Sequence, residues 1–195
     1  DPPPLLVGER VNSQGSRKVK RLLLADDYDG ILDVAREQAD SGAHILDVCV
    51  DYVGRDGAVD MDELASRFAT QIAAPLVLDS TEPQVLEAGL QHIGGRSLLN
   101  SANLEDGDAP GSRMDRVFTL CQEYGAAAIC LLIDEEGQAR DVEWKLRIAH
   151  RIHDLAVERY GLEPSDLIFD ALTFTLTTGD DEWKPSAVET IAGIR

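Results

Sequence analysis

Basic residues are scarce in this sequence. Its 195 residues include 18 Lys and Arg against 36 Asp and Glu, which gives a formal net charge of −18. A basic stripe is the usual footprint of proteins that bind nucleic acid or anionic membranes. The charge therefore argues against both classes of partner, and we expect neither nucleic acid nor a membrane.

Long hydrophobic runs are also missing. No apolar run approaches the roughly 18–20 residues that a bilayer-spanning helix needs. The sequence opens with Asp1 and then Pro2–Pro4, which does not resemble a basic and then apolar leader. We predict a linker at residues 1–4 and one domain at residues 5–195, long enough to bury a sizeable core.

Cysteine is rare, and none of it has a metal-binding spacing. Cys49, Cys121 and Cys130 lie far apart, which favours a reducing compartment and predicts a cytoplasmic protein. Of the four histidines, His150 and His153 are three residues apart on a predicted helix. They could form a metal pair, but a solvated helix face is the favoured interpretation, so no metal is expected.

Short apolar runs alternate with amphipathic helical patterns along the whole chain. The runs are Leu5–Val11, Ala43–Val50, Pro75–Leu78, Ser97–Leu99, Ala126–Ile133 and Asp166–Phe169. The helical patterns are Ile31–Ala39, Met61–Ile72, Gln84–Leu90, Met114–Tyr124, Val142–Tyr160 and Ser186–Ile194. Gly42, Gly125 and Gly161 follow three of these patterns, where a left-handed C-cap residue is expected. Strands that alternate with helices predict βαβ units and a parallel sheet.

Two α/β architectures have such a sheet. A doubly wound sheet usually carries G-x-G-x-x-G after its first strand, whereas Gly8–Ser16 reads GERVNSQGS. A TIM (β/α)8 barrel instead places its chemistry on the loops at the carboxyl ends of its strands. We predict the barrel, with only about six βα units here. Strands seven and eight have no counterpart, and the chain is expected to be part of a longer polypeptide.

Every predicted strand ends near a carboxylate or an amide. These side chains are Glu9, Asn12, Asp47, Asp51, Asp79, Asn100, Asp134 and Asp170. One such residue alone is more often a helix cap, and after Asp79 both Ser80 and Thr81 are better caps still. In a barrel, however, the strand ends meet at one mouth. A pocket of carboxylates and amides suits a neutral heterocycle with a donor-rich edge.

Five motifs, in order along the chain, closely resemble the folate-binding domain of cobalamin-dependent methionine synthase. They are GERVNSQGS (Gly8–Ser16), DSTEPQVLEAGL (Asp79–Leu90), LLNSANLEDG (Leu98–Gly107), YGAAAICLLIDEEGQA (Tyr124–Ala139) and LIFDALTFTLTTG (Leu167–Gly179). More distantly, the sequence is similar to dihydropteroate synthase and to the corrinoid iron–sulfur protein methyltransferases. These families share a pterin-binding barrel.

The resemblance implies a pterin site at the mouth of the barrel. Asp79, Asn100 and Asp170 match the trio of side chains that holds the pterin ring in the family. Glu9 and Asn12 match the first-strand element that borders the same pocket. These five residues are therefore the predicted substrate-binding residues.

Other positions carry a weaker assignment. Asp134 matches an acidic position near the mouth, and Asp47 and Asp51 are further candidates that could instead bond loop backbone at the barrel rim. Ala171 stands where the family commonly has Pro after the Asp. The family's seventh-strand Asn has no counterpart in this sequence, so the catalytic residue is left unassigned.

The chemistry implied by the resemblance is methyl transfer from 5-methyltetrahydrofolate to cob(I)alamin. Cobalamin would be carried by a separate domain, and the partners would be the cobalamin-binding and homocysteine-binding domains of the same polypeptide. Two alternatives stay open. One is dihydropteroate synthesis, whose family uses a glycine- and arginine-containing loop where this chain has Gly54 and Arg55. The other is a folate-binding module without catalysis.

Overall fold

The structure is a computed structural model that describes residues 4–174 and 185–195. Most of the predicted linker at residues 1–4 and the end of the last motif, residues 175–179, lie outside the described residues. The chain forms two compact units. One extends to Asn100 and includes Tyr124–Ala126, and the other comprises Ser101–Glu123 and the residues from Ala127 onward. The predicted domain bounds of 5–195 stay a prediction.

The first unit is built from parallel strands and the helices that connect them. Its strands are β1 (Val7–Asn12), β2 (Ile45–Cys49), β3 (Leu76–Asp79) and β4 (Leu98–Ala102). Its helices are α1 (Arg17–Leu24), α2 (Tyr28–Asp40), α3 (Gly57–Gln71) and α4 (Pro83–Leu90). β1 pairs with β2, β2 with β3, and β3 with β4, all in parallel. The carboxyl ends of these strands therefore lie along one edge of the sheet.

The core of this unit is aliphatic. Leu46 and Leu78 from the sheet are fully buried, as are Met61 and Leu64 from α3. Removing a side chain of this size from water contributes about 1.5–3 kcal/mol. The strands are consequently held by burial on their helix-covered face, and this leaves their polar ends available for chemistry.

The first helix, α1, was not predicted. The Ser16 side chain caps it by accepting a hydrogen bond from the Val19 N–H at 3.2 Å. Val19 and Leu23 are buried, so a helix of only eight residues is anchored by two apolar contacts and one cap. A polar residue before apolar residues at helical spacing was the available signal.

The second unit contains a parallel pair, a hairpin and the last helices. Its elements are α5 (Arg113–Tyr124), β5 (Ala127–Leu131), β6 (Ile133–Asp134), β7 (Gly137–Gln138), α6 (Val142–Asp154), β8 (Leu167–Asp170) and α7 (Ser186–Ile194). β5 pairs with β8 in parallel, and β6 pairs with β7 in an antiparallel hairpin. α6 continues as a π-helical turn over Leu155–Arg159.

The predicted α/β order of strands and helices is confirmed, with two differences in the strands. The run Ala126–Ile133 divides, because β5 ends at Leu131 and the β6–β7 hairpin begins at Ile133. β4 continues to Ala102, so that Asn100 lies in the middle of the strand and not at its end. The three predicted C-cap glycines all have a positive φ: 96° at Gly42, 67° at Gly125 and 65° at Gly161.

Three further observations concern partners and metals. Within the described residues, every helix is too short or too polar to cross a membrane. The same residues contain no group of three or more His, Cys, Asp or Glu side chains that could hold a metal ion. Cys49, Cys121 and Cys130 are buried free thiols.

Candidate functional site

The first strand reaches the site through a β-bulge. The register of β1 shifts between Gly8 and Val11, and the N–H of Arg10 in the bulge donates to Gln38 Oε1 of α2 at 2.6 Å. The buried Gln38 side chain fits only because residue 8 is glycine: a Cβ there would lie 2.0 Å from Gln38 Nε2. A bulge re-aims the residues that follow it, and it leaves Glu9 exposed.

The side chain of Asn12 links three neighbouring strands, β1, β2 and β3. Its Nδ2 donates to Asp47 Oδ2 at 2.8 Å and to Asp79 Oδ2 at 3.2 Å. Its Oδ1 accepts from the backbone N–H groups of Gln14 at 2.9 Å and Gly15 at 3.2 Å. Because donors and acceptors on both sides of the amide are used, its orientation is fixed. Three predicted site residues, Asn12, Asp47 and Asp79, are therefore brought together.

Asp47 is the most deeply buried residue of this group. The residue is only 4% exposed. Burial raises the pKa of its carboxyl above the ordinary value. The hydrogen bond from Asn12 opposes this rise, and the charge of Glu9 adds to it. Asp47 is thus a carboxylate held at an energetic cost, which is common where chemistry is done.

Asp79 and Asn100 lie side by side on neighbouring strands. They are register partners on β3 and β4, and the Ser80 N–H donates to the Asn100 carbonyl at 3.2 Å. Register partners on neighbouring parallel strands lie about 5 Å apart and point to the same face. A carboxylate and an amide therefore stand side by side, both half-buried.

Asp51 is engaged by the loops around it. Its carboxylate accepts from Ser80 Oγ at 2.7 Å and from the Thr81 N–H at 3.0 Å. Its backbone carbonyl accepts from Ser13 Oγ at 2.8 Å. These bonds fit the alternative interpretation, in which Asp51 bonds loop backbone at the barrel rim. They connect the loops after β1, β2 and β3. A pterin-binding role for Asp51 stays a prediction.

A cavity of about 290 Å³ opens beside these loops. Its lining includes Gln14, Asp51, Tyr52, Arg55, Thr81 and Glu82. The volume lies near the lower end of the range for small-molecule sites. The carboxyl edge of the first unit therefore combines ordered polar side chains with open space.

Arg55 is committed to ion pairs. Its guanidinium donates to both carboxylate oxygens of Asp60 at 2.6 Å and to Asp26 at 2.8 Å. The Tyr28 hydroxyl donates to the same buried Asp60 at 2.6 Å, and burial together with this contact raises the pKa of Tyr28 to about 12. This bidentate pair anchors the loop after β2 to α3.

Asp134, in the second unit, is surrounded by donors. The residue is 5% exposed. Its carboxylate accepts from Trp144 Nε1 at 2.9 Å and from the Glu136 N–H at 3.0 Å, and the Arg147 guanidinium lies 3.7 Å away. The arrangement closes the β6–β7 hairpin onto α6. These contacts favour a structural role, and binding by Asp134 stays a prediction.

Asp170 is the last residue of β8, as predicted, and it is exposed. Its Oδ1 accepts from the Leu172 N–H at 2.8 Å. Leu172 has a φ of 51°, a left-handed conformation that is uncommon for a residue of its kind. The carboxylate therefore sits on a tight turn.

Sequence reasoning missed two supporting residues, Gln38 and Lys145. Gln38 follows Ile31 and Val34 on the buried face of α2, and Lys145 precedes Ile148 on the buried face of α6. A long polar side chain at a position where the helical period requires an apolar one was the available signal. Both residues are at least 96% buried, being 4% and 1% exposed.

Comparisons with known proteins identify the family to which this chain belongs. The model of the family described as pterin binding enzyme matches residues 8–195. The chain belongs to the pterin-binding enzyme family. Among curated proteins, the methionine synthase of Mycobacterium tuberculosis is 49% identical over 98% of the chain, and that of Mycobacterium leprae is 48% identical over 100%. The predicted resemblance to methionine synthase is confirmed. The chain spans 16% of the length of each of these relatives.

Solved structures with the same fold include dihydropteroate synthases. The enzyme from Xanthomonas albilineans, in complex with 7,8-dihydropteroate, has a TM-score of 0.63 at 17% identity, covering 98% of this chain and 66% of that one. The Yersinia pestis enzyme has a TM-score of 0.62 at 14% identity, covering 98% and 64%. At these identities the likeness shows the fold alone, and it confirms the α/β fold of TIM-barrel type.

Proposed function

We propose that this chain binds 5-methyltetrahydrofolate by its pterin ring and presents the methyl group for transfer to cob(I)alamin in methionine synthesis. The observation that carries the proposal is the joined group of Asn12, Asp47 and Asp79, with Asn100 in register beside Asp79. The identity to two methionine synthases supports it. We propose that the chain acts as a methyltransferase domain of a longer polypeptide, which also carries cobalamin-binding and homocysteine-binding domains.

The residue types match the edge of a pterin. A carboxylate such as Asp79 accepts two parallel hydrogen bonds from the ring N–H and the exocyclic amino group of such a heterocycle. The amide of Asn100 offers a donor and an acceptor to a mixed edge. Asp170 is proposed as a third pterin-binding residue from the family resemblance, and Glu9 as a residue bordering the ring.

The carboxylates also suit the chemistry of the leaving group. A tertiary amine leaves only when its nitrogen is protonated or nearly so, and positive charge at that nitrogen is favoured by negative side chains around the ring. Asp47 and Asp79, fixed by the Asn12 amide, supply negative charge without having to move. This chain would therefore bind and polarise the folate, and cobalamin, bound elsewhere in the polypeptide, would supply the nucleophile.

Two alternative functions stay open. Dihydropteroate synthesis releases pyrophosphate, for which a cation in the loop after β2 would be useful, but Arg55 is already paired with Asp60 and Asp26. A folate-binding module without catalysis has the same site and differs only in the absence of methyl transfer. We also propose a cytoplasmic location, which the buried free thiols support.

Calorimetry with 5-methyltetrahydrofolate tests the site in the natural polypeptide that carries this chain. We expect Asp79→Asn and Asn100→Ala each to weaken binding about tenfold or more, the loss of roughly one buried polar contact. Asp40→Asn, an exposed change at the end of α2, is the matched control and should bind like the parent. Parent-like binding by both site variants would overturn the assignment. Transfer to cob(I)alamin, followed by absorbance, separates the enzyme from a binding module.

A further inference from the structure

A buried lysine lies beneath the turn that carries Asp170. Lys145 is the fourth residue of α6, and it is only 1% exposed. A buried ammonium group is costly unless its donors are satisfied. Its presence on the apolar face of a helix therefore needs a compensating set of acceptors.

Backbone carbonyl groups provide those acceptors. Lys145 Nζ donates to the carbonyl oxygen of Ala139 at 3.0 Å, to that of Leu172 at 3.1 Å, and to that of Ala171. An ammonium group has three N–H donors, so each one is used. Ala171 and Leu172 are the two residues that directly follow Asp170.

The same turn is also held from α7. Thr190 Oγ1 donates to the Leu172 carbonyl at 2.8 Å. Leu172 keeps its left-handed φ of 51° while its N–H bonds the Asp170 carboxylate at 2.8 Å. A strained conformation of this kind persists only where its surroundings over-determine it. Lys145 and Thr190 are those surroundings, and the orientation of Asp170 depends on the turn they hold.

We propose that Lys145 is a positioning residue for ligand binding, which acts through the Ala171 and Leu172 carbonyl groups to set the orientation of the Asp170 carboxylate. The inference rests on the proposed function, in which Asp170 binds the pterin. It assigns Lys145 no contact with the ligand.

Charge is part of this role. Burial lowers the pKa of Lys145, and the charges of Asp170, Asp141 and Glu189 oppose that effect. An uncharged amine has one donor fewer and directs a lone pair at a carbonyl oxygen. Raising the pH through the pKa of Lys145 should therefore loosen the turn and weaken binding.

The test uses Lys145→Met, which keeps an unbranched side chain of nearly the same length and removes its charge. Binding of 5-methyltetrahydrofolate by the natural polypeptide is measured by calorimetry at a temperature where circular dichroism shows the variant folded. We expect binding to be at least about tenfold weaker in Lys145→Met and about two- to fivefold weaker in Thr190→Val. Lys18→Met, at an exposed lysine paired with Glu37, should bind like the parent.

A pH series distinguishes positioning from a general loss of stability. The parent should lose affinity at alkaline pH, and Lys145→Met should show a flatter profile over the same range. Ionisation of the folate affects both proteins alike, so the difference between the profiles reports on Lys145.

Three results decide the matter. If Lys145→Met is folded and binds like the parent with the same pH profile, the inference is wrong although the proposed function stands. If the parent does not bind 5-methyltetrahydrofolate, the proposed function fails first. If Lys145→Met does not fold, Thr190→Val decides, and parent-like affinity in that variant overturns the inference.

Discussion

Asp47 in the first unit and Asp134 in the second are equally buried carboxylates on strands, yet their surroundings differ. They are 4% and 5% exposed. Asp134 receives hydrogen bonds from the Trp144 indole and the Glu136 N–H, with the Arg147 guanidinium nearby. The hydrogen bond to the Asp47 carboxylate comes from the Asn12 amide, and another negative group, Glu9, is close enough to raise its pKa.

This difference is the one expected between a structural carboxylate and a ligand-binding one. A buried charge with several donors is compensated, and removing it leaves those donors unsatisfied. A buried charge with one neutral donor is carried at a cost, and its remaining acceptor positions are suited to a ligand. Asp134 therefore closes a hairpin, whereas Asp47 contributes to the proposed folate site.

The largest effect on stability is expected for Asp134→Ala. The change leaves the Trp144 N–H and the Glu136 N–H without their acceptor, which should lower the free energy of unfolding by about 2–3 kcal/mol. Urea unfolding measures this loss, and calorimetry should show unchanged affinity for the folate. Weakened binding with unchanged stability would instead make Asp134 a ligand-binding residue. The distinction drawn between Asp134 and Asp47 would then be wrong.

Asp47→Asn should act in the opposite direction. Its folded-state pKa is raised above the ordinary value of 3.8, so the parent loses stability as the pH rises from about that value through the raised pKa. At neutral pH the variant should be more stable than the parent, because no buried charge must be maintained.

Urea midpoints measured from pH 4 to pH 7 test this expectation. The parent's stability should contain a component that falls over this range, and Asp47→Asn should lack that component. Folate affinity should decrease in the variant. A variant that is less stable at pH 7 would show that the Asn12 bond compensates the burial, and Asp47 would then resemble Asp134.

The sequence predicted the alternation of strands and helices because this pattern follows from the local periodicity of apolar residues. Apolar runs and helical spacing mark β2, α3 and β3 without knowledge of the rest of the chain. The same reasoning placed Asp47 and Asp79 on neighbouring strands, since polar side chains followed the apolar runs. These features depend on neighbours in the chain, so a single sequence contains them.

Features that depend on distant partners were not predictable. The bulge in β1 exists because Gln38, from α2, accepts a hydrogen bond from Arg10. The β6–β7 hairpin is closed by Asp134 and Trp144, and its strands are two residues each. Lys145 finds two of its three acceptors 26 and 27 residues away. In each case a tertiary contact decides the local structure, and only the unexpected polar side chain gives a hint.

The smallest effect is expected at Glu135, which follows Asp134 in the hairpin. Hydrogen bonds from the Arg151 guanidinium lower the pKa of Glu135 to about 2, below its ordinary value of 4.5. Its stabilising contribution is therefore present above about pH 4.5 and is lost as the pH falls towards 2, opposite in sign to that of Asp47. The Glu135 side chain is 47% exposed, so solvent screening should limit the contribution to about 0.5 kcal/mol.

Glu135→Gln tests this expectation by urea unfolding at pH 7 and pH 3. The variant should be slightly less stable than the parent at pH 7, and the difference should shrink at pH 3, where the parent's carboxyl is already largely protonated in the unfolded state. High salt at pH 7 should shrink it as well, because an exposed ion pair is screened. A loss at pH 7 as large as that of Asp134→Ala would mean that the Glu135–Arg151 pair, and not the donors around Asp134, holds this hairpin to α6.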